Sequence, residues 1–368
     1  MDTIQFRRHL HSHPELSFGE EATAEFISQQ LSEYGIEHRF IASTGVLARI
    51  EGRRGNLKRC VVLRADIDAL PVVENTGVEW SSQNSGVMHA CGHDCHAAIL
   101  FGVLKRMQAE RDFEGTLLGL FQPAEERYPG GASLVLDEDP FADYNVQAVL
   151  GEHVDAELEI GELGFCPGKF MASVDELYFT IKGVGGHAAM RGKIKDAVVA
   201  AADFIMRLNM LNSDMCVVSV GGVEAAGSTN VIPDEVKLSG TMRTFSENLR
   251  SRVKDMISHI AEEIEYKYDV EVVSDLRHGY PCVENDMQLT YEAMLLADSN
   301  GFKVRDLDMR PTAEDFGLYS QRYPSLYYRL GVGGASGRAH SSTFLPDERA
   351  LSVGEEFMYQ LALSILNK

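Results

Sequence analysis

Residues 88–121 read MHACGHDCHAAILFGVLKRMQAERDFEGTLLGLF. Apolar residues at helical spacing predict a helix over 97–107, with Asp94 placed to cap its start. The apolar run at 116–121 predicts a buried strand. Working outward, 46–50 and 60–65 are short runs of β character separated by a polar turn, and 147–150 is another. The first 30 residues look helical, with Phe26, Ile27 and Leu31 on one stripe. Strands alternating with helices imply an α/β fold, a mixed, mainly parallel sheet flanked by helices. In such sheets the chemistry collects in loops beyond the carboxyl ends of the strands.

The pattern changes near residue 173. Strands are expected at 175–182, 215–223, 236–245 and 270–274, and helices at 196–211 and 249–268. This β-α-β-β-α-β order is that of a ferredoxin-like α+β unit. A final helix is expected at 354–366. The expected organisation is therefore one α/β domain, 1–172 and 282–368, interrupted by an inserted domain at 173–281.

The opening stretch also carries chemistry. Two cysteines and three histidines fall within 88–96, followed by Gln-Pro-Ala-Glu-Glu at 122–126 and Gly-Glu-His at 151–153. Thiolate, imidazole and carboxylate are the donors that bind zinc-like cations. Cys91 and His93 stand two apart, so in an extended segment both face the same way. A loop cysteine with a helix-capping histidine, or a Cys91–Cys95 redox pair, is the alternative. Glu125 and Glu126 cannot point in one direction: one can ligate while the other reaches a water, as a general base needs. Two solvated glutamates are the bland alternative. Asp66 and Asp68 share one face at a strand end, where a carboxylate can fix the tautomer of a metal-bound histidine; a plain turn would serve as well. His187 follows a glycine-rich turn and His340 lies in a glycine-rich loop, each unremarkable alone. His9, His11 and His13 have metal-like spacing, but a solvated helix face is the better reading and no ligand role is assigned.

Composition excludes other classes. Lys plus Arg total 34 against 55 Asp plus Glu, a net charge of -21. Such a surface repels phosphate backbones, so nucleic acid is not expected as a partner. No stretch approaches the roughly 18 apolar residues a membrane span needs, so no membrane partner is expected. The N-terminus MDTIQFRRHL has no signal-like apolar region. Six cysteines scattered through 368 residues do not form a disulfide framework, and a reducing cytoplasm fits.

Taken in order, HSHPELSFGEEAT (11–23), RADIDALP (64–71), MHACGHDCHAA (88–98), FQPAEE (121–126) and GEH (151–153) form a specific series. It continues through GVGGHAA (183–189), STNVIPDEVKLSGTMRTF (228–245), TAEDFG (312–317) and GRAHSSTF (337–344). The chain resembles the aminoacylase and carboxypeptidase-G-like metallopeptidases, in particular their amidohydrolase branch. That branch contains hippurate hydrolases, indole-acetyl-amino-acid hydrolases and N-acetyl-diaminopimelate deacetylases.

The resemblance implies a zinc-peptidase-like catalytic domain and an inserted lid through which two chains pair as a homodimer. It implies two divalent metal ions per chain, zinc or manganese with cobalt as an alternative, held by Cys91, His93, Glu126, His153 and His340. Glu125 would be the general base and Asp68 the carboxylate behind a ligand. His187 would stabilise the oxyanion, with Asn230 and Arg243 facing the substrate. The implied reaction is hydrolysis of an N-acyl amino acid amide through a metal-activated water. A di- or aminopeptidase using the same centre is the alternative, as is a protein that only binds metal. Two departures from the branch, Met190-Arg191 after the His-Ala-Ala and His340-Ser341-Ser342 near the end, lie on substrate-side loops and bear on acyl preference.

Overall fold

The computed structural model describes residues 1–368. They divide into two compact units, one of Met1–Gly168, Glu284–Asp308 and Leu318–Lys368, the other of Lys169–Val283 and Met309–Gly317. The insertion was expected at 173–281. The observed second unit also takes in Met309–Gly317, whose Arg310 N–H donates to Phe170 and whose carbonyl accepts from Ala172.

The first unit is built on an eight-stranded sheet. Its centre is four parallel strands in the order Thr116–Gln122, Arg59–Asp66, Asn145–Asp155, Ser325–Gly331. They are largely buried on both faces, which is why the stretches 60–63, 117–121 and 326–328 are apolar without alternation, with the buried Arg64 and Arg329 breaking the runs. Antiparallel Gly45–Glu51 and Glu37–Ile41 extend one edge. Glu162–Phe165 and Lys303–Asp306 extend the other. The core packs Phe6, Ile99, Phe101, Leu150 and Phe357 together with the strand side chains.

The first 30 residues, expected to be helical, form two helices, Thr3–Ser12 and Glu21–Glu33. The helix expected at 97–107 runs over His93–Glu110. Asp94 does not cap it. Gly92 holds the cap position at φ 95°, and the buried Asp94 side chain binds Arg7 and His11. The solvated reading of the early histidines also fails in part. His11 is fully buried, with Nδ1 2.9 Å from Asp94 and Nε2 3.2 Å from Glu74.

In the second unit, antiparallel strands order as Cys216–Glu224, Glu235–Thr244, Asp175–Lys182, Glu271–His278. Helices Ala197–Asn209 and Glu247–Tyr268 pack on the face that carries Leu177, Phe179 and Ile181. The alternate residues Glu176 and Lys182 are exposed, as a half-buried strand requires. No helix of the chain is long and apolar enough to cross a membrane, and none of the six cysteines forms a disulfide.

Candidate metal centre

The donor residues gather at the carboxyl ends of the central parallel strands. Asp66 ends one strand and Asp68 follows it. The loop with Glu125 and Glu126 follows Thr116–Gln122. His153 lies inside Asn145–Asp155, so Gly-Glu-His is part of a strand and not the loop after it. His340 stands in the loop after Ser325–Gly331, at φ 65°, with its N–H bound to the Ala90 carbonyl at 2.7 Å.

Cys91 and His93 do meet, but not through an extended segment. The left-handed turn at Gly92 brings them together, and a Cβ there would also lie 2.4 Å from Val154. Only glycine combines that φ with so close a neighbour. Ligand atoms of Cys91, His93 and His153 lie within 4.8 Å of one another, as do those of Cys91, Glu126 and His340. Cys91 is common to both groups. Glu125 joins His93 and Glu126 in a third.

Hydrogen bonds fix which ring nitrogens face this space. His93 Nδ1 lies 2.9 Å from the Asp68 carbonyl, an acceptor only, so the proton sits on Nδ1. Asp68 Oδ1 is 3.1 Å from the same nitrogen. The buried His93 Nε2 has no hydrogen-bond partner. His153 Nδ1–H likewise donates to the Val154 carbonyl at 2.7 Å, leaving Nε2 3.4 Å from Cys91 Sγ. Glu126 Oε1 lies 3.3 Å from His340 Nε2 and 3.9 Å from His93 Nε2.

The electrostatics are mixed: burial and then Arg329 hold His153 well below its ordinary value, whereas His93 is drawn the other way. Burial alone would lower His93, but Asp66, Cys91 and Asp68 hold it well above its ordinary value. Burial pushes the Cys91 thiol up to about 12, so its thiolate needs a cation beside it. An orphaned imidazole nitrogen, a shared cysteine and converging carboxylates therefore fit divalent cations.

Sequence reasoning did not single out His96. Its Nε2 accepts the Val154 N–H at 2.9 Å, so its Nδ1–H donates to Asp66 at 2.6 Å. That occupies both nitrogens and ties the backbone beside His153 to the helix. The signal was available: His96 follows His93 by three, hence on the same helical face.

In the second unit, His187 is exposed in the strand Gly186–His187, which pairs with Val231–Ile232. The Asn230 carbonyl accepts from Ala188 N–H, which puts these two residues in one small loop structure. Arg243 stands apart from it at the carboxyl end of Glu235–Thr244, its pKa lowered by burial.

Residues 62–364 match the model of peptidase family M20/M25/M40. The chain belongs to this family. Among its M20 relatives, an N-acetylcysteine deacetylase of Bacillus subtilis is 36% identical, over 99% of this chain and 96% of its own. An N-acetyldiaminopimelate deacetylase of Bacillus cytotoxicus is 35% identical, over 97% and 96%. The solved structure of the Bacillus subtilis YXEP protein, described as a dinuclear metal-binding peptidase of the M20 family, superposes with a TM-score of 0.89. It is 35% identical and the match covers 99% of this chain and 97% of that one.

Proposed function

We propose that this M20 protein is a metal-dependent amidohydrolase that cleaves the amide bond of N-acyl amino acids. The observation that carries the reading is the donor set centred on Cys91 with a further carboxylate, Glu125, at its edge. The names of two relatives, deacetylases of N-acetylcysteine and N-acetyldiaminopimelate, support the substrate class.

Cys91, His93, Glu126, His153 and His340 would hold two divalent ions, zinc suiting the thiolate and manganese or cobalt being the alternatives. Such ions supply Lewis acidity and lower the pKa of water. Asp68 keeps the His93 proton on Nδ1, so that Nε2 faces the site. Glu125 takes a proton from the attacking water and delivers it to the leaving amine nitrogen. On the family resemblance, His187 stabilises the oxyanion, and Arg243 with Asn230 binds the substrate carboxylate. The same resemblance supports a cytoplasmic homodimer paired through the inserted unit.

A substrate panel tests the reading. Protein loaded with zinc, manganese or cobalt is offered N-acetyl, N-benzoyl and indole-acetyl amino acids alongside plain dipeptides. Turnover of N-acyl amino acids in preference to dipeptides is expected, and the reverse preference would overturn the assignment in favour of a dipeptidase.

A further inference from the structure

The stretch HSHPELSFGEEAT (11–23) supplies none of the residues assigned above. One of its side chains, Glu20, nevertheless reaches the loop that carries Glu125, and another, Ser17, reaches Asp68, which binds that loop. Glu20 is fully buried just ahead of the helix Glu21–Glu33, yet its side chain makes no capping bond to that helix. Its Oε1 accepts the Ala124 N–H at 2.8 Å, and its Oε2 accepts the Thr44 hydroxyl at 2.7 Å. Ala124 sits at φ 51°, a left-handed conformation that residues other than glycine adopt at a cost. Its carbonyl accepts from Gly131 N–H at 2.9 Å, so both polar groups of this residue are held.

On the other side of Glu125, the Glu126 N–H donates to Asp68 Oδ2 at 3.0 Å. That oxygen also takes the Ser17 hydroxyl at 2.7 Å. The two amides that flank Glu125 thus end on two buried carboxylates, both outside the loop. One belongs to the 11–23 stretch and the other is braced by it.

We propose that Glu20 is a positioning residue for Glu125. By holding the Ala124 amide, it keeps the left-handed turn that aims the next side chain at the reacting water. The inference rests on the proton-transfer role given to Glu125 above. A misplacement on the order of 1 Å can cost about 10²-fold in rate, so the clamp should be visible in turnover and not in substrate affinity.

Three full-length variants test it. Glu20→Ala removes the acceptor, and Glu20→Asp withdraws it by one methylene. Glu20→Gln keeps an oxygen for Ala124, while the Thr44 hydroxyl can reverse to accept from the new amide. The Ala and Asp variants should lose about 10- to 100-fold in kcat on an N-acetyl amino acid with KM little changed, and the Gln variant should stay close to wild type. Hydrogen exchange of the Ala124 amide, read without substrate, should accelerate by about 10-fold or more in Ala and Asp but not in Gln. Wild-type kcat in Ala and Asp, or a loss in Gln equal to that in Ala, overturns the proposal. Should Glu20→Ala fail to fold, the Asp and Gln pair decides. A wild-type protein inert towards every N-acyl amino acid would sink the substrate reading alone. Exchange would then judge the clamp, with unchanged protection in Asp counting against it.

Discussion

Replacing Asp68 by asparagine keeps the shape of a side chain that is 1% exposed and removes its charge. In the native chain Oδ1 takes the His93 Nδ1–H, while Oδ2 takes the Ser17 hydroxyl and the Glu126 N–H. An amide offers one acceptor oxygen where the carboxylate offers two. Whichever way it turns, its NH2 meets a donor, His93 on one side or the Glu126 amide on the other. A hydrogen bond to a charged group contributes about 1.5–3 kcal/mol. At about 1.4 kcal/mol per tenfold, that is roughly 10- to 150-fold in an equilibrium constant. Losses of about 10- to 100-fold in metal affinity are usual when the partner of a ligating histidine is changed. The dissociation constant for zinc or manganese should therefore rise by about 10- to 100-fold in Asp68→Asn. Competition against a chromophoric chelator measures it, with circular dichroism as the fold control. A constant within about threefold of wild type, with the fold intact, would refute the argument. It would mean that the Asp68 carbonyl, 2.9 Å from His93 Nδ1, orients the ring unaided.

Three further outcomes are expected. Glu125→Gln should keep its metal while kcat falls by about 10²–10⁴, whereas Glu126→Gln should release metal on dialysis; equal metal loss in both would remove the distinction between the two roles. His11 titrates with folding: burial would lower it, but Asp94 and then Glu74 raise it from 6.5 to about 9. Its contribution is thus complete below pH 6.5 and lost as the pH rises through about 9, on the order of 3 kcal/mol. Urea titrations across that range should show this fall in wild type and a flatter profile in His11→Gln. In the second unit, buried Arg250 binds both Asp175 oxygens, at 2.7 and 3.0 Å. Arg250→Ala should cost about 3–5 kcal/mol by chemical denaturation, because it strips the main partner from a buried carboxylate.

Much of the fold was legible because burial on two faces leaves a plain mark. Strands such as Arg59–Asp66 and Thr116–Gln122 sit at the centre of a covered sheet and carry apolar stretches without alternation at 60–63 and 117–121. The ferredoxin-like order of the inserted unit was legible for a related reason, since Asp175–Lys182 alternates with the period of a half-buried strand. The donor types at 88–96, 122–126 and 151–153 could likewise be read directly, because few other side chains bind a divalent cation.

Tertiary structure decided how those pieces work. Cys91 and His340 are far apart in the chain, and the fold brings them within ligand distance at the carboxyl ends of the central parallel strands. Asp94 has the sequence of a helix cap, but the left-handed Gly92 takes that position and frees the carboxylate to pair with Arg7 and His11. His11 reads as solvated on its own helix and becomes a buried cation once Asp94 and Glu74 close on it. The partner of Glu20, the Ala124 amide, shows only in the folded chain. Periodicity and donor chemistry are local properties that a sequence by itself carries. Burial, tautomer and partner depend on residues that are remote along the chain, and those only the folded molecule could determine.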